Sequence, residues 1–371
     1  MKINNKTKKG IKILSITILC ASAFFFTQCT THKAAFKGMS LEKSQANTNF
    51  SQQKLDSVTN YLKDHAETTG MVILQNGKMV YEYGDIQEVS YIASCRKSVL
   101  SMLYGKHIEN GTIDLDETIG ELGIDDNDAL LPKEKEATVR DIITSRSGVF
   151  HRPANGGYDE NNILERGSVE PGEYFVYNNW DFNVAGHILE QKTGNTVYEE
   201  IEQQLAIPLG FEDWNIKNQK RKVSKGKSQY SAYHIYISTR DMAKIGQLML
   251  NEGKWNGEQI ISKEWIKQST SVVTPVNVVN ERYWRDETSD LQLSYGYMWW
   301  LFEEFMGIED FEGAYTASGY GGQYITVIPK RNIVIAHKSK LNTLELWGLK
   351  SGGVSDHQYY KIVEKIVHAA Q

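Results

Sequence analysis

Ser94 and Lys97 stand three residues apart in the stretch Ser94-Cys95-Arg96-Lys97. Val99, Leu100 and Leu103 follow at helical spacing and short apolar runs with strand character precede it, so a strand-to-helix junction is expected near Ser94. On a helix, positions i and i+3 share a face, which sets the Lys97 amine beside the Ser94 hydroxyl. A hydroxyl at a helix start also meets free backbone N–H groups and the positive dipole end, where developing negative charge is favoured. A serine with a base in reach is an activated nucleophile. Ser-x-x-Lys alone is a common tetrapeptide, so its meaning depends on what the rest of the chain supplies. Cys95 is a second nucleophile by type, but no motif surrounds it and it reads as a small buried packing residue.

Tyr177 and Asn179 are the next residues of interest, in Tyr177-Asn178-Asn179-Trp180-Asp181. A tyrosine phenol titrates near 10 and is a poor base by itself. A Lys97 ammonium beside it would favour the phenolate and lower that value. The pair could then take the Ser94 proton and deliver it to a leaving group. Asn179, in a non-helical turn, could offer its amide to Lys97 and to a substrate carbonyl. The alternative for Tyr177 is a core aromatic beside a helix start. His151, after Ser147-Gly148-Val149-Phe150, could line a cleft or be structural, and His234 carries the same two readings. Tyr297, Trp299 and Trp300 read as core. The histidines show no His-Glu-x-x-His spacing, so no metal is expected, and no cofactor. The acidic run Asp125-Asp126-Asn127-Asp128 has neither the glycine nor the glutamate of a calcium loop in register, and reads as a solvated loop.

The elements that must hold these residues follow from periodicity and punctuation. An amphipathic helix is expected from Gln52 to about His65 through Leu55, Val58 and Leu62. Met71-Val72-Ile73-Leu74 and Met79-Val80-Tyr81 flank Asn76-Gly77, a hairpin signal. The Ser94 helix ends near Gly111, a short helix covers 138–145, and the helix opened at Tyr177 runs to Lys192 and stops at Gly194. Lys217, Lys220, Arg221, Lys222, Lys225 and Lys227 read as a mobile surface loop. Ser238-Thr239-Arg240-Asp241 caps a helix to Asn251. Strands return at 323–328 and 333–336, and a helix from about Asp356 to His368 closes the chain. Strands at both ends with a long helical middle imply a discontinuous α/β layer, about 50–92 and 292–371, holding a helical insert of about 93–291.

The 371 residues suffice for one large core or two smaller ones, and a net charge of −5 gives no basic excess that would suggest nucleic acid. The N-terminus is different in kind. Lys2, Lys6, Lys8, Lys9 and Lys12 precede an apolar run, 13–26, too short to span a bilayer, which is the pattern of a signal peptide over residues 1–28. Phe26-Thr27-Gln28-Cys29 resembles a bacterial lipobox, which implies an acylated Cys29, a lipid anchor in the membrane of the cell envelope and a polar tether over 29–49. Ordinary cleavage near Ala21-Ser22-Ala23, giving a soluble secreted or periplasmic protein, is the alternative. With Cys20 removed and Cys29 acylated, Cys95 has no partner, so no disulfide is expected despite export.

In their order along the chain, Ser94-x-x-Lys97, Tyr177-x-Asn179 and a glycine-rich strand near the C-terminus resemble the serine β-lactamase and penicillin-binding superfamily. Within it the chain resembles the class C β-lactamase-related branch, which includes carboxylesterases and 6-aminohexanoate-oligomer hydrolases. The resemblance runs from about Thr69 to His368 and is supported by Thr138-Val139-Arg140-Asp141-Ile142-Ile143, by Ser147-Gly148 and by Tyr177 through Gly186. It implies an α+β (mixed α/β) β-lactamase/transpeptidase-like fold over 50–371, with an antiparallel sheet flanked by helices and a mostly helical subdomain. It also implies catalytic roles for Ser94, Lys97, Tyr177 and Asn179.

The third motif departs from the antibiotic-handling members, which carry Lys-Thr-Gly or His-x-Gly there and grip a carboxylate with the cation. Here the stretch reads Tyr315-Thr316-Ala317-Ser318-Gly319-Tyr320-Gly321-Gly322-Gln323. If Gln323 opens the next strand, Ala317-Ser318-Gly319 fills the motif; a shift of three residues puts Tyr320 in the cation's place. In the first alignment the backbone N–H groups of Ser94 and Tyr320 form an oxyanion hole, with Ser318, Gly319 and His151 toward substrate. The expectation is an exported, monomeric serine hydrolase acting on a small ester or amide through an acyl-enzyme. The alternatives are a β-lactamase or D,D-peptidase, and a lipoprotein that keeps the fold only to bind.

Overall fold

The computed structural model describes residues 41–43, 50–283, 291–346 and 352–370; the expected leader, Cys20 and Cys29 lie outside them. Its main sheet takes strands from two distant stretches of chain. β1 (Gly70–Gln75) and β2 (Lys78–Gly84) come from the first. Between the two stretches lie the short β3 (Ser90–Tyr91), β4 (Lys220–Ser224), β5 (Ser228–His234), β6 (Tyr236–Ile237), β7 (Lys254–Trp255) and β8 (Glu258–Gln259). The second stretch supplies β9 (Leu291–Tyr295), β10 (Trp300–Phe305), β11 (Tyr315–Gly319), β12 (Gln323–Ile328) and β13 (Ile333–Lys338). The order across this antiparallel seven-stranded sheet is β2-β1-β13-β12-β11-β10-β9.

Both faces of the sheet are covered, so its central strands are apolar on both sides. Val72, Leu74, Ile325, Val327, Val334 and Ala336 point into a core shared with the helical region. Their neighbours Met71, Ile73, Tyr324, Ile328, Ile333 and Ile335 point into a second core under the first and last helices. This is the two-residue alternation of a strand with no polar face left over. The helix Gln52–His65 (α1) supplies Leu55, Val58 and Leu62 to that second core, and the C-terminal helix Asp356–Ala369 packs beside it. On the other face the helix Thr239–Leu250, capped by Ser238, lies against β1, β12 and β13. A Cβ on its Gly246 would stand 2.4 Å from Val334 Cγ1, so the helix sits closer to the sheet than any larger residue permits. No helix among the described residues is long and apolar enough to cross a membrane.

The β1–β2 turn confirms the Asn76-Gly77 reading, with positive φ at both residues (51° and 76°). The basic stretch differs from expectation. Rather than a mobile loop, Lys220–Ser224 is a strand paired with Ser228–His234. Its charges are exposed along one strand of an isolated two-stranded ribbon, where cations discourage pairing with other chains.

Three elements set the site. The helix Cys95–Glu109 (α2) runs buried through the helical region, and Val139–Ile143 (α3) is a five-residue helix with a capping box from Thr138 and Asp141. The helix Asn179–Thr193 (α4) is capped by the Asn178 side chain and ends at Gly194 in the left-handed region.

Candidate active site

The nucleophile's position is built by a turn rather than by the helix alone. β3 pairs with β6, and Ile92 N–H continues that contact to Ile235 O at 3.1 Å. Lys338 reaches from β13 to donate to the carbonyls of Ser90 (3.0 Å) and Ile237, which ties this short ladder to the main sheet. Ala93 then takes a positive φ of 46° before α2 begins. That conformation costs an alanine about 1–2 kcal/mol, and such residues gather at functional sites. Ser94 follows as the residue before the helix, with its side chain free of any capping bond.

Lys97 Nζ lies 3.1 Å from Ser94 Oγ, as the helical spacing requires. The Lys97 side chain is 1 % exposed and its Nζ sits 3.8 Å from the Tyr177 ring centre and 4.1 Å from that of Phe182. Aromatic faces favour the ammonium. Burial opposes it more strongly, and the charge of Arg96 adds to burial, so Lys97 titrates well below the ordinary lysine range.

Tyr177 enters from the loop before α4, its N–H donating to Tyr283 Oη. Burial raises its phenol above the usual value, against a smaller lowering by the Ser94 hydrogen bond. This corrects the expected division of labour. Burial pushes against an ammonium that makes Tyr177 a phenolate: it favours the neutral amine at Lys97 and the protonated phenol at Tyr177.

β11 closes the other side. Gly319 approaches so near the Ser94 turn that a Cβ there would stand 2.6 Å from Ile92 O and 3.0 Å from Ser94 N, which requires glycine. Among the described residues, neither the Ser94 nor the Tyr320 backbone N–H donates to another protein group, so both are open to an incoming oxygen. Ala317 is fully buried in the core, and the β11 residues that line the cleft are Ser318 and Gly319, followed by Tyr320, 58 % exposed. The cleft holds about 810 Å³ and is walled by Ser94, Tyr177, Tyr283, Trp300 and Tyr320, with Gly353, Glu67 and Asp356 also in its lining. Glu67 and Asp356 are its only charged lining among the described residues. A second cavity of about 550 Å³, with Glu82, Asp85, Glu212 and Arg240 in its wall, shares no residue with it.

Two of the expected site residues stand elsewhere. His151 is 7 % exposed and absent from the cleft wall; its ring nitrogens meet the carbonyls of Asn127 (2.7 Å) and Arg152 (3.0 Å), with Asp126 at 3.6 Å. It is a structural histidine. Asn179 opens α4 instead of lying in a non-helical turn. Its amide donates to Gly156 O and its Oδ1 accepts from Arg96 at 3.4 Å, so its polar atoms serve the scaffold and not Lys97. Phe182, Tyr283 and Arg96 bear on the site without having been singled out. Only Arg96 left a signal, lying inside the Ser-x-x-Lys stretch. Among the described residues no three metal-binding side chains converge.

Comparison with known proteins gives the family and the fold. A family model described as Beta-lactamase matches residues 55–343. An uncharacterised protein of Alkalihalophilus pseudofirmus is 24 % identical over 263 residues, 66 % of this chain and 71 % of that one. A candidate 6-aminohexanoate-dimer hydrolase from Bacillus anthracis superposes with a TM-score of 0.63 at 22 % identity, covering 89 % of this chain and 87 % of its own. A family VIII carboxylesterase superposes with a TM-score of 0.61 at 14 % identity, covering 88 % and 98 %.

Proposed function

The chain belongs to the Beta-lactamase family, a family of serine hydrolases, and from that premise we propose that it cleaves a small, uncharged ester or amide through an acyl-enzyme on Ser94. The observation that carries this reading is the buried Lys97 amine 3.1 Å from Ser94 Oγ. Ser94 Oγ attacks the substrate carbonyl carbon and its proton passes to Lys97 Nζ. The carbonyl oxygen becomes negative between the Ser94 and Tyr320 N–H groups, where preorganised donors stabilise it. The carbon–oxygen or carbon–nitrogen bond then breaks. The leaving alcohol or amine takes its proton from Tyr177, which Lys97 reprotonates. Water repeats the sequence on the acyl-enzyme and frees Ser94.

The lining of the cleft supports an uncharged substrate. Penicillins and D-Ala-D-Ala peptides carry a carboxylate beside the reacting carbonyl. Here the cation of the third motif is missing, Ala317 points away, and the charged lining is Glu67 and Asp356. A lost charge-assisted hydrogen bond is worth about 1.5–3 kcal/mol, or roughly 10- to 150-fold in kcat/KM. On one preparation, kcat/KM for a nitrophenyl acetate or butyrate ester should exceed that for nitrocefin. A clearly higher value for nitrocefin would establish the β-lactamase reading instead. A protein that reacts with neither ester nor fluorophosphonate would be a binding module.

Export and anchoring through Cys29 belong to the same proposal. Radiolabelled fatty acid should enter the wild type and not Cys29→Ala; equal labelling of both would contradict the anchor.

A further inference from the structure

Tyr177 has to hold its phenol where a leaving group departs, yet it lies in the loop before α4 rather than on the helix itself. Its neighbours in that loop are held by the main chain: Val176 N–H donates to Ser145 O at 3.0 Å, and Asn178 N–H to Val176 O at 2.8 Å. The Tyr177 N–H goes instead to a side chain 106 residues away, the hydroxyl of Tyr283.

Tyr283 follows the short helix Val276–Arg282. Arg282, just before it, donates to Phe175 O and sets its guanidinium 3.8 Å from the centre of the Tyr174 ring. Asn162 Nδ2 donates in turn to Arg282 O at 3.3 Å. The Tyr283 ring meets Phe175 edge-on at 5.6 Å and Tyr177 at 6.3 Å between ring centres. One helix end therefore grips the Tyr177 loop on both sides of Val176. The Tyr177 ring is itself packed by Phe182 at 4.9 Å and by Trp300 at 5.4 Å. A tyrosine has only two side-chain torsions, so with the ring packed its hydroxyl moves chiefly with the backbone that carries it.

We propose that the end of this helix positions the proton donor of the reaction: Tyr283, with Arg282 beside it, fixes the Tyr177 backbone and through it the phenol that protonates the leaving group. The proposal rests on the reading of Tyr177 as that donor. Displacing a reacting group by about 1 Å can cost on the order of 10²-fold in rate, so a single backbone hydrogen bond matters here. Burial raises the Tyr283 phenol, so the oxygen that accepts is that of a neutral hydroxyl. Tyr283 also lines the cleft, and its ring and its hydroxyl can be tested apart.

The test uses the leaving group. A nitrophenolate departs without a proton, whereas an alkoxide must be protonated as it leaves, so an acid catalyst matters for an alkyl ester and little for a nitrophenyl ester. The measurement is kcat/KM, which reports the steps up to acylation, for nitrophenyl butyrate and for ethyl butyrate with the full-length protein. Tyr283→Phe keeps the ring in the cleft wall and removes the acceptor. It should lower kcat/KM for ethyl butyrate by about three- to tenfold, the worth of one neutral hydrogen bond, and leave nitrophenyl butyrate within about twofold. Added to Tyr177→Phe it should cost nothing further with ethyl butyrate, because the group it positions is gone. Equal losses on both esters, no loss on either, or a full further loss in the double variant would overturn the proposal. So would a wild type that turns over the nitrophenyl ester and not the ethyl ester. If Tyr283→Phe fails to fold, Arg282→Met takes its place, keeping the stem over Tyr174 and giving up the bond to Phe175 O; the same selective loss is expected, and an equal loss on both esters overturns the proposal. Failure of the underlying reading looks different: Tyr177→Phe would itself lose equally on both esters.

Discussion

Ser94→Ala should abolish turnover and leave the fold intact. The substitution removes one hydroxyl that caps nothing, from a residue whose backbone already has helical angles. It adds no bulk; Lys97 Nζ loses its hydrogen bond to Oγ and keeps its contacts with the Tyr177 and Phe182 rings. Without Oγ no acyl-enzyme can form. Loss of a nucleophile of this kind costs on the order of 10⁶-fold in kcat, the residual rate coming from binding and the oxyanion hole. Ester hydrolysis by the purified variant, with circular dichroism and thermal melting unchanged, is the expected result. Retention of more than a few per cent of activity would remove Ser94 from the mechanism.

Lys97→Ala and Tyr177→Phe should each lower kcat by about 10²–10⁴-fold, the range of general acid–base catalysis. The amine takes the Ser94 proton and the phenol passes it on, so either loss breaks one relay. The double variant should therefore be little worse than the more damaged single one, since groups that act as a unit are not additive. Multiplication of the two losses in the double variant would show two independent roles. The single variants also differ in structure. Tyr177→Phe keeps the ring against Phe182 and Trp300, whereas Lys97→Ala leaves a space between Ser94 and those rings.

Much of this was legible in the sequence because the deciding interactions are local. Ser94 and Lys97 meet because the helix period brings i and i+3 together, whatever surrounds them. Asn76-Gly77 makes its turn because those two residues tolerate positive φ, and Gly194 ends α4 for the same reason. The resemblance to the β-lactamase superfamily added the order of the motifs, and the sheet with its helical layer bears out the fold it implied.

What escaped depended on burial and on distant contacts. β9 and β10 were not expected, because Leu291, Leu293, Trp300, Leu301 and Phe302 show no clean apolar–polar alternation and Gly296 and Met298 break the run. Charge alone made Lys217–Lys227 look like a loop, since a strand in a small exposed ribbon has no apolar face to betray it. Burial shifts Lys97 and Tyr177 in the directions opposite to those expected, because a nearby charge can be inferred from spacing whereas complete desolvation cannot. His151 looked available until the carbonyls of Asn127 and Arg152 took its ring nitrogens.

The account's central claim is a covalent acyl group on Ser94. Wild-type protein mixed with excess nitrophenyl butyrate and quenched in acid within the first turnovers should gain one butyryl mass. Peptide mapping should place it on the peptide that begins the Cys95–Glu109 helix, at Ser94, and Ser94→Ala should gain none. An adduct on another residue, or rapid hydrolysis with no adduct and no burst even when the acylated form is trapped at low pH, would contradict the account.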